Sequence, residues 1–126
     1  MKKTETVHGK KPILIYGSGK EGKLVYEAIK IDPKMQRYEL AGFIDPEGEE
    51  TGKMLCGLIV KTETEWLRYD WKSKPRIFIP VSFDGDQIVS KMAERWQGKG
   101  MLYRIKTEVK PVRPAFHLVS SPKKFY

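Results

Sequence analysis

A glycine-rich segment near the start of the chain has the spacing of a phosphate-binding loop. The glycine loop, as we name residues 17–22, reads Gly17-Ser18-Gly19-Lys20-Glu21-Gly22 and matches the pattern G-x-G-x-x-G. In such a loop the first glycine allows a tight turn, the second lets a phosphate approach the backbone, and the third lets the following helix pack closely on the preceding strand. The amides at the helix N-terminus then face the anion. The loop therefore predicts a nucleotide ligand, with a purely structural turn as the alternative.

Three further residues are predicted to line the same site. Asp45 lies 23 positions after Gly22 and follows a predicted strand, where its carboxylate can accept hydrogen bonds from ribose hydroxyls. A carboxylate there disfavours the 2′-phosphate of NADP. Pro80 and Ser82 lie at the end of another predicted strand, and Ser82 is expected either to bind the ligand or to cap the next helix.

The glycine loop also overlaps the start of a second phosphate-binding pattern. Residues 17–23 satisfy G-x-x-x-x-G-K, the beginning of a P-loop. The next residue of a P-loop is Ser or Thr, whose hydroxyl holds magnesium, whereas this chain has Leu24. A P-loop kinase or ATPase is therefore disfavoured.

The sequence offers no recognisable catalytic group and no metal cluster. Cys56 is the only cysteine, and the two histidines, His8 and His117, lie in opposite tails. No nucleophile–base pair, acid–base pair or metal-ligand spacing is evident. The sequence predicts a binding site without catalytic apparatus and without a metal.

The elements that must position this site follow the pattern of β/α units. Short apolar runs alternate with amphipathic stretches, and they predict strands over residues 13–16, 38–44, 58–60, 76–81 and 101–105. Helices are predicted after Gly22, after a Thr62–Glu65 capping box, and after Ser82 or Asp84. We therefore expect a small, Rossmann-like, doubly wound α/β fold. Its five-stranded, mostly parallel sheet has the order 3-2-1-4-5, with the ligand at the switch point between strands 1 and 4.

Length and terminal composition suggest one domain between two less regular segments. The chain has 126 residues, a length that suits a single domain. We predict a flexible arm over residues 1–11, the nucleotide-binding domain over 12–105, and a proline-containing extended tail over 106–126. The tail carries Phe116, Leu118 and Phe125, which favour a homodimer or packing against a partner enzyme domain.

Charge and hydropathy indicate which classes of partner and which cellular compartment suit the chain. The formal net charge is +8. Residues 1–63 carry 11 Lys and Arg against 10 Asp and Glu, and residues 64–126 carry 13 against 6. A basic second half suggests polyanionic partners, so a dinucleotide-sensing regulatory protein with a surface facing nucleic acid is the alternative function. No apolar run is long enough to span a membrane and no secretory signal is present, which predicts a cytoplasmic protein.

Several segments together resemble a known module. They are residues 13–22, 38–45, 52–53 with 57–60, and 77–80. The chain resembles the N-terminal Rossmann-like, CoA-binding-like domain of bacterial polysaccharide-biosynthesis proteins of the nucleotide-sugar dehydratase and epimerase group. It is similar to the N-terminal domain of sugar O-acyltransferases, and redox-sensing repressors share the pattern.

The resemblance implies a ligand and a role for each matching residue. The ligand would be NAD(H) or a UDP-sugar, with the glycine loop at the phosphates, Asp45 at the ribose or base, and the segment after Pro80 as the opposite wall. That family more often has serine directly after the proline, whereas Val81 intervenes here. Catalysis in such proteins lies in another domain. The chain is therefore expected to be a nucleotide-binding module of nucleotide-sugar or surface-polysaccharide biosynthesis, either as an excised domain or as a separate protein.

Overall fold

The chain alternates strands and helices from Lys11 to Val109. The computed structural model describes residues 10–80, 85–109, 114–118 and 123–124, with side chains described over 10–80 and 87–106. The helices are α1 (Lys20–Ile31), α2 (Glu63–Leu67) and α3 (Gly85–Arg95), with a 3-10 turn over Pro33–Met35. The strands are β1 (Lys11–Tyr16), β2 (Tyr38–Ile44), β3 (Met54–Leu55), β4 (Leu58–Lys61), β5 (Arg76–Pro80), β6 (Met101–Val109), β7 (Pro114–Leu118) and β8 (Lys123–Lys124).

These strands form one mostly parallel sheet with antiparallel additions at both sides. Five parallel strands lie in the order β4-β2-β1-β5-β6. β3 pairs antiparallel with β4, and both β7 and β8 pair antiparallel with β6. We call the edge where the parallel strands begin the amino edge and the edge where they end the carboxyl edge.

The predicted α/β fold with a mostly parallel sheet and flanking helices is confirmed, whereas the predicted strand count is wrong. Over the described residues the sheet has eight strands in the order β3-β4-β2-β1-β5-β6-β7, with β8 on β6, instead of five in the order 3-2-1-4-5. β3 lies between the strands predicted over residues 38–44 and 58–60, where the sequence predicted no strand. β7 and β8 lie in the predicted tail, and β6 continues four residues beyond its predicted end at Ile105.

Local chemistry explains these additional strands. β3 and β4 form a hairpin whose two-residue loop, Cys56-Gly57, has positive φ at both positions (55° and 80°). That is the conformation of a type I′ turn, which usually contains Asn or Asp with Gly, so a cysteine concealed it. β7 begins at Pro114, and a strand at the edge of a sheet tolerates a residue without an N–H.

The helices cover both faces of the sheet, and the sheet separates two hydrophobic cores. One face carries Ile13, Ile15 and Phe43, which pack with Val25 and Ile29 of α1. The other face packs against α2 and α3. The buried side chains of this second core, from the strands and the helical segments together, are Leu14, Tyr16, Ala41, Ile44, Trp66, Ile77, Ile79, Val89, Met92, Trp96 and Leu102. In β1 successive residues enter opposite cores, because side chains alternate across a strand. None of the helices in the described part of the chain is long and apolar enough to cross a membrane.

The predicted capping box of α2 is present, and it positions one of the two largest core residues. The Thr62 hydroxyl accepts the Glu65 N–H at 3.2 Å, and a Glu65 carboxylate oxygen accepts the Thr62 N–H at 3.0 Å. Trp66 follows with 0% of its surface exposed, and its indole N–H donates to the Phe43 carbonyl at 2.8 Å. A Cβ at Gly42 would overlap the Trp66 ring. Glycine is required at position 42 because the ring lies directly on the β2 backbone.

Trp66→Ala should lower the free energy of unfolding by about 3–5 kcal/mol, since it empties a large buried volume. Urea unfolding followed by far-UV circular dichroism measures this change. Met54→Ala, at a position with 63% exposure on β3, is the control and should stay within about 0.5 kcal/mol of the parent chain. Equal effects of the two substitutions would contradict the assignment of Trp66 to the core.

Candidate functional site

Three of the predicted site segments lie together at the carboxyl edge of the sheet. Gly17 follows β1, Asp45 follows β2, and Pro80 ends β5. β1 pairs with β2 on one side and with β5 on the other. The connection from β1 leads to β2, while the chain later returns to β5, so this is the switch point at which doubly wound sheets bind ligands. Ser82 lies outside the described residues.

Backbone conformation requires the first glycine of the loop, and close backbone packing requires the third. Gly17 has a φ of 99°, in the left-handed region that favours glycine, and its N–H donates to the Ile44 carbonyl at 2.7 Å. A Cβ at Gly22 would overlap the Gly17 carbonyl oxygen. The first turn of α1 therefore packs directly on the end of β1, which is the role expected for the third glycine of this pattern.

The second glycine has a different environment. Gly19 is the N-cap of α1, with a φ of −95° and no side chain to accept the first amides of the helix. A Cβ at this position would meet no described atom within 4 Å. Gly19 is exposed, and the next residue, Lys20, is exposed as well. The helix N-terminus thus presents uncapped amides at the carboxyl edge.

The charges around this N-terminus are mixed. Lys20 and Lys23 are exposed and add positive charge beside the amides of the first turn, while Ser18 is half-buried. Glu21 lies in the same turn. Its carboxylate interacts favourably with the helix dipole, but it would repel an anionic ligand. The binding of an anion at this position would therefore depend on the backbone amides and the two lysines.

Asp45 is buried and organises the loop that follows β2. Only 6% of its surface is exposed. Its Oδ1 accepts the Glu47 N–H at 3.0 Å, and its Oδ2 accepts the Glu50 N–H. Its own N–H donates to the Lys61 carbonyl at 3.0 Å. Because both carboxylate oxygens already bind backbone amides, a ribose hydroxyl would have to use the remaining lone pairs. The ribose role of Asp45 stays a prediction.

A polar cluster that the sequence did not indicate lies under the same edge, on the face that carries α2 and α3. Glu63, the first residue of α2, accepts hydrogen bonds from Arg95 Nε at 2.8 Å, Arg95 Nη2 at 2.8 Å and Trp96 Nε1 at 2.9 Å. The hydrogen bond to Glu63 is the largest cause of the raised pKa of Arg95. The pair is separated by 32 positions, so no local pattern could reveal it.

Tyr16 ends β1 beside this cluster. Burial raises the pKa of its phenol above 10.0, and the negative charge of Glu63 raises the pKa further. The charges of Asp45 and Glu47 act in the same direction, while Arg95 opposes them. The phenol therefore stays protonated at neutral pH.

Other features of the described residues bear on the predicted chemistry. A cavity of about 270 Å³ between α1 and β2 lies at the amino edge, is lined by residues such as Tyr26, Met35 and Tyr38, and contains none of the predicted site residues. Cys56 is exposed in the β3–β4 turn. Among the described residues no group of three His, Cys, Asp or Glu side chains is placed to hold a metal ion.

Comparisons of the chain with protein-family models, with curated proteins and with solved structures give no match. The resemblance to domains of polysaccharide-biosynthesis proteins therefore stays a prediction.

Asp45→Ala should lower the free energy of unfolding by about 2 kcal/mol, because two amides lose a charged acceptor and hydrogen bonds to charged groups contribute about 1.5–3 kcal/mol. Amide hydrogen exchange of Glu47 and Glu50 should accelerate in the variant. Glu49→Ala removes an exposed carboxylate from the same loop and should leave both exchange rates unchanged. Unchanged exchange in Asp45→Ala would show that the carboxylate does not hold this loop.

The stability of the fold should decrease as the pH rises above about 10, with Tyr16 contributing to the decrease. Its pKa is raised on folding, so the folded state retains the proton more strongly than the unfolded chain does. The resulting stabilisation is complete below pH 10.0 and is lost as the pH rises through the folded-state pKa. Urea unfolding at several pH values between 8 and 11 should show a shallower decline for Tyr16→Phe than for the parent chain. Parallel declines would contradict the shift.

Proposed function

We propose that the chain is a nucleotide-binding module whose ligand lies over Gly19 at the carboxyl edge of the sheet. Gly19 carries the argument. Gly17 needs glycine for its φ, and Gly22 needs it for close packing, but Gly19 has neither a left-handed φ nor a described atom near its Cβ position. Glycine also suits the N-cap position that Gly19 occupies, and the pattern places its second glycine where a phosphate approaches the backbone closely.

Two ligand classes suit this edge. NAD(H) and a UDP-sugar both carry a pyrophosphate, which the amides of the first turn of α1 would bind. Lys20 and Lys23 lie beside these amides and would compensate part of its charge. The carboxylate of Asp45 follows β2, where a negative charge favours a free ribose over the 2′-phosphate of NADP. NAD(H) and UDP-sugars are therefore the candidates.

We propose that the module binds without catalysing a reaction. Among the described residues, the buried titratable side chains at the carboxyl edge are Tyr16 and Asp45. The Tyr16 phenol stays protonated because burial raises its pKa, and the Asp45 carboxylate accepts two loop amides. The proposed setting is nucleotide-sugar or surface-polysaccharide biosynthesis, with a homodimer or a partner enzyme domain supplying what the module lacks. This part of the proposal rests on the resemblance stated above.

A panel of NAD⁺, NADH, NADP⁺, UDP and UDP-sugars tests the proposal through thermal unfolding. A ligand present at about 100 times its Kd adds about 2.7 kcal/mol, which raises the Tm by several degrees in a domain of this size. We expect a shift with NAD(H) or with a UDP-sugar and a smaller one with NADP⁺. Gly19→Val should abolish the shift, because its side chain occupies the position of the phosphate.

Asp32→Ala is the matched control for Gly19→Val. The Asp32 side chain caps the 3-10 turn at the far end of α1 by accepting the Lys34 N–H at 2.9 Å. Its loss should lower the Tm of the unliganded chain without reducing the response to ligand. If no compound shifts the Tm, or if Gly19→Val responds like the parent chain, the site assignment fails. Turnover of NADH with a keto-sugar by this chain would contradict a purely binding role.

A further inference from the structure

A second cleft lies at the amino edge of the sheet, away from the glycine loop. The amino-edge cleft, as we name it, has a volume of about 500 Å³ and is formed by the loop between α2 and β5 and the turn between α3 and β6. Its walls are Leu67, Tyr69, Asp70, Trp71, Lys72, Lys74, Gly98 and Lys99. These residues precede β5 and β6, while the glycine loop follows β1. Five residues of strand separate the two edges by about 15 Å.

One wall of the cleft is a rigid aromatic surface. The indole N–H of Trp71 donates to the Trp66 carbonyl at 2.8 Å, which fixes the orientation of the ring. Its ring centroid lies 4.6 Å from that of Tyr69 and 5.6 Å from that of Trp66. Trp66 is fully buried, whereas Trp71 and Tyr69 are half-buried and line the cleft. Lys61 Nζ lies over the Tyr69 ring, 5.3 Å from its centroid, so Trp71 is the ring that is positioned to receive a base.

The same cleft carries a local excess of positive charge. Lys72, Lys74 and Lys99 are all exposed and line it, against the single carboxylate of Asp70. Lys72 and Lys74 come from the loop before β5. Lys99 comes from the turn after α3, where Gly98 adopts a φ of 73° and the Lys99 N–H donates to the Trp96 carbonyl at 2.7 Å. Two separate backbone segments therefore contribute lysines to the cleft that the aromatic wall also lines.

We propose that the amino-edge cleft binds single-stranded nucleic acid, with a base stacked on Trp71 and the phosphates near Lys72, Lys74 and Lys99. Aromatic side chains beside lysines bind unpaired bases and their backbone in this way without reading sequence. In a duplex the base faces are already stacked on one another, whereas an unpaired strand leaves them accessible to a ring. The net charge of +7 over residues 64–126 favours the approach of a polyanion.

The proposal does not depend on the glycine loop. Gly19 follows β1 at the carboxyl edge, and none of the residues that line the amino-edge cleft belongs to residues 17–22. Gly19→Val should therefore leave oligonucleotide binding unchanged, and the cleft variants should leave the response to NAD(H) or UDP-sugars unchanged. The two proposals can fail separately.

The test is the anisotropy of a fluorescein-labelled 12-nucleotide oligo(dT), titrated with the full chain at 50 and 200 mM salt. Three lysine–phosphate contacts predict a slope of log K against log salt of about −2 for single strands, and hence an affinity about 20-fold lower at the higher salt. Addition of the unlabelled oligonucleotide should also protect Trp71 from acrylamide quenching. Trp71 is the tryptophan that quencher reaches, since Trp66 and Trp96 are fully buried.

Two sets of variants locate the binding. The triple variant Lys72→Gln, Lys74→Gln, Lys99→Gln should remove most of the salt dependence and weaken binding at 50 mM salt at least tenfold. The control triple Lys30→Gln, Lys34→Gln, Lys53→Gln removes the same charge from exposed positions outside the cleft and should change affinity less than twofold. Trp71→Ala should weaken binding about tenfold, while Trp71→Phe, which keeps a ring, should retain most of the affinity.

Four results would overturn the proposal. They are no binding at 50 mM salt, equal losses in the two lysine triples, equal affinity for a duplex of the same length, and displacement of the oligonucleotide by an equal concentration of a mononucleotide. The lysine triples change exposed side chains alone, so they remain informative even if Trp71→Ala fails to fold. Thermal unfolding of each variant identifies that case.

Discussion

The close approach of Gly22 to the Gly17 carbonyl is the constraint on which the carboxyl edge depends. It sets α1 directly on the end of β1, and the Gly17 N–H at the same point ties the loop to the end of β2. α1 then packs Val25 and Ile29 into the core on its face of the sheet. With the helix axis and the strand end fixed together, the direction of the first amides of α1 is fixed too. The orientation of the exposed backbone at Gly19 is thus set by the tight packing of Gly22 on Gly17.

The opposite face of the sheet is organised by hydrogen bonds that join polar groups to buried indole rings. Glu63 joins α2 to α3 through Arg95 and Trp96, and the indole of Trp66 binds the β2 backbone. The hydrogen bond of the Trp66 indole satisfies an N–H that would otherwise be buried without a partner, which is costly in a core. The same arrangement holds the segment after α2 in place, and so both the carboxyl edge and the amino-edge cleft depend on one aromatic core.

Local sequence patterns were sufficient for the parallel part of the fold, and they failed where pairing partners are distant or unusual. The glycine loop, the capping box at Thr62 and the apolar runs of β1 and β5 are all readable from neighbouring residues. β3 was not predicted because a cysteine occupies a turn position usually held by Asn or Asp. β7 was not predicted because the prolines around it suggested a tail. The Glu63–Arg95 pair and the second role of Asp45, as acceptor for two loop amides, depend on contacts formed only in the folded chain. Residue type predicted that Asp45 would matter, but it could not distinguish a ligand contact from a loop contact.

The outer strands at the two sides of the sheet affect how readily it can pair with a strand of another molecule. On one side the outermost strand is β3, which is two residues long. On the other side β7 begins with Pro114, a residue that has no N–H to donate. Short strands and prolines at sheet borders offer few free backbone groups to a strand from another molecule. The borders of the sheet, as the described residues form them, therefore give a strand of another chain little opportunity for edge-to-edge pairing.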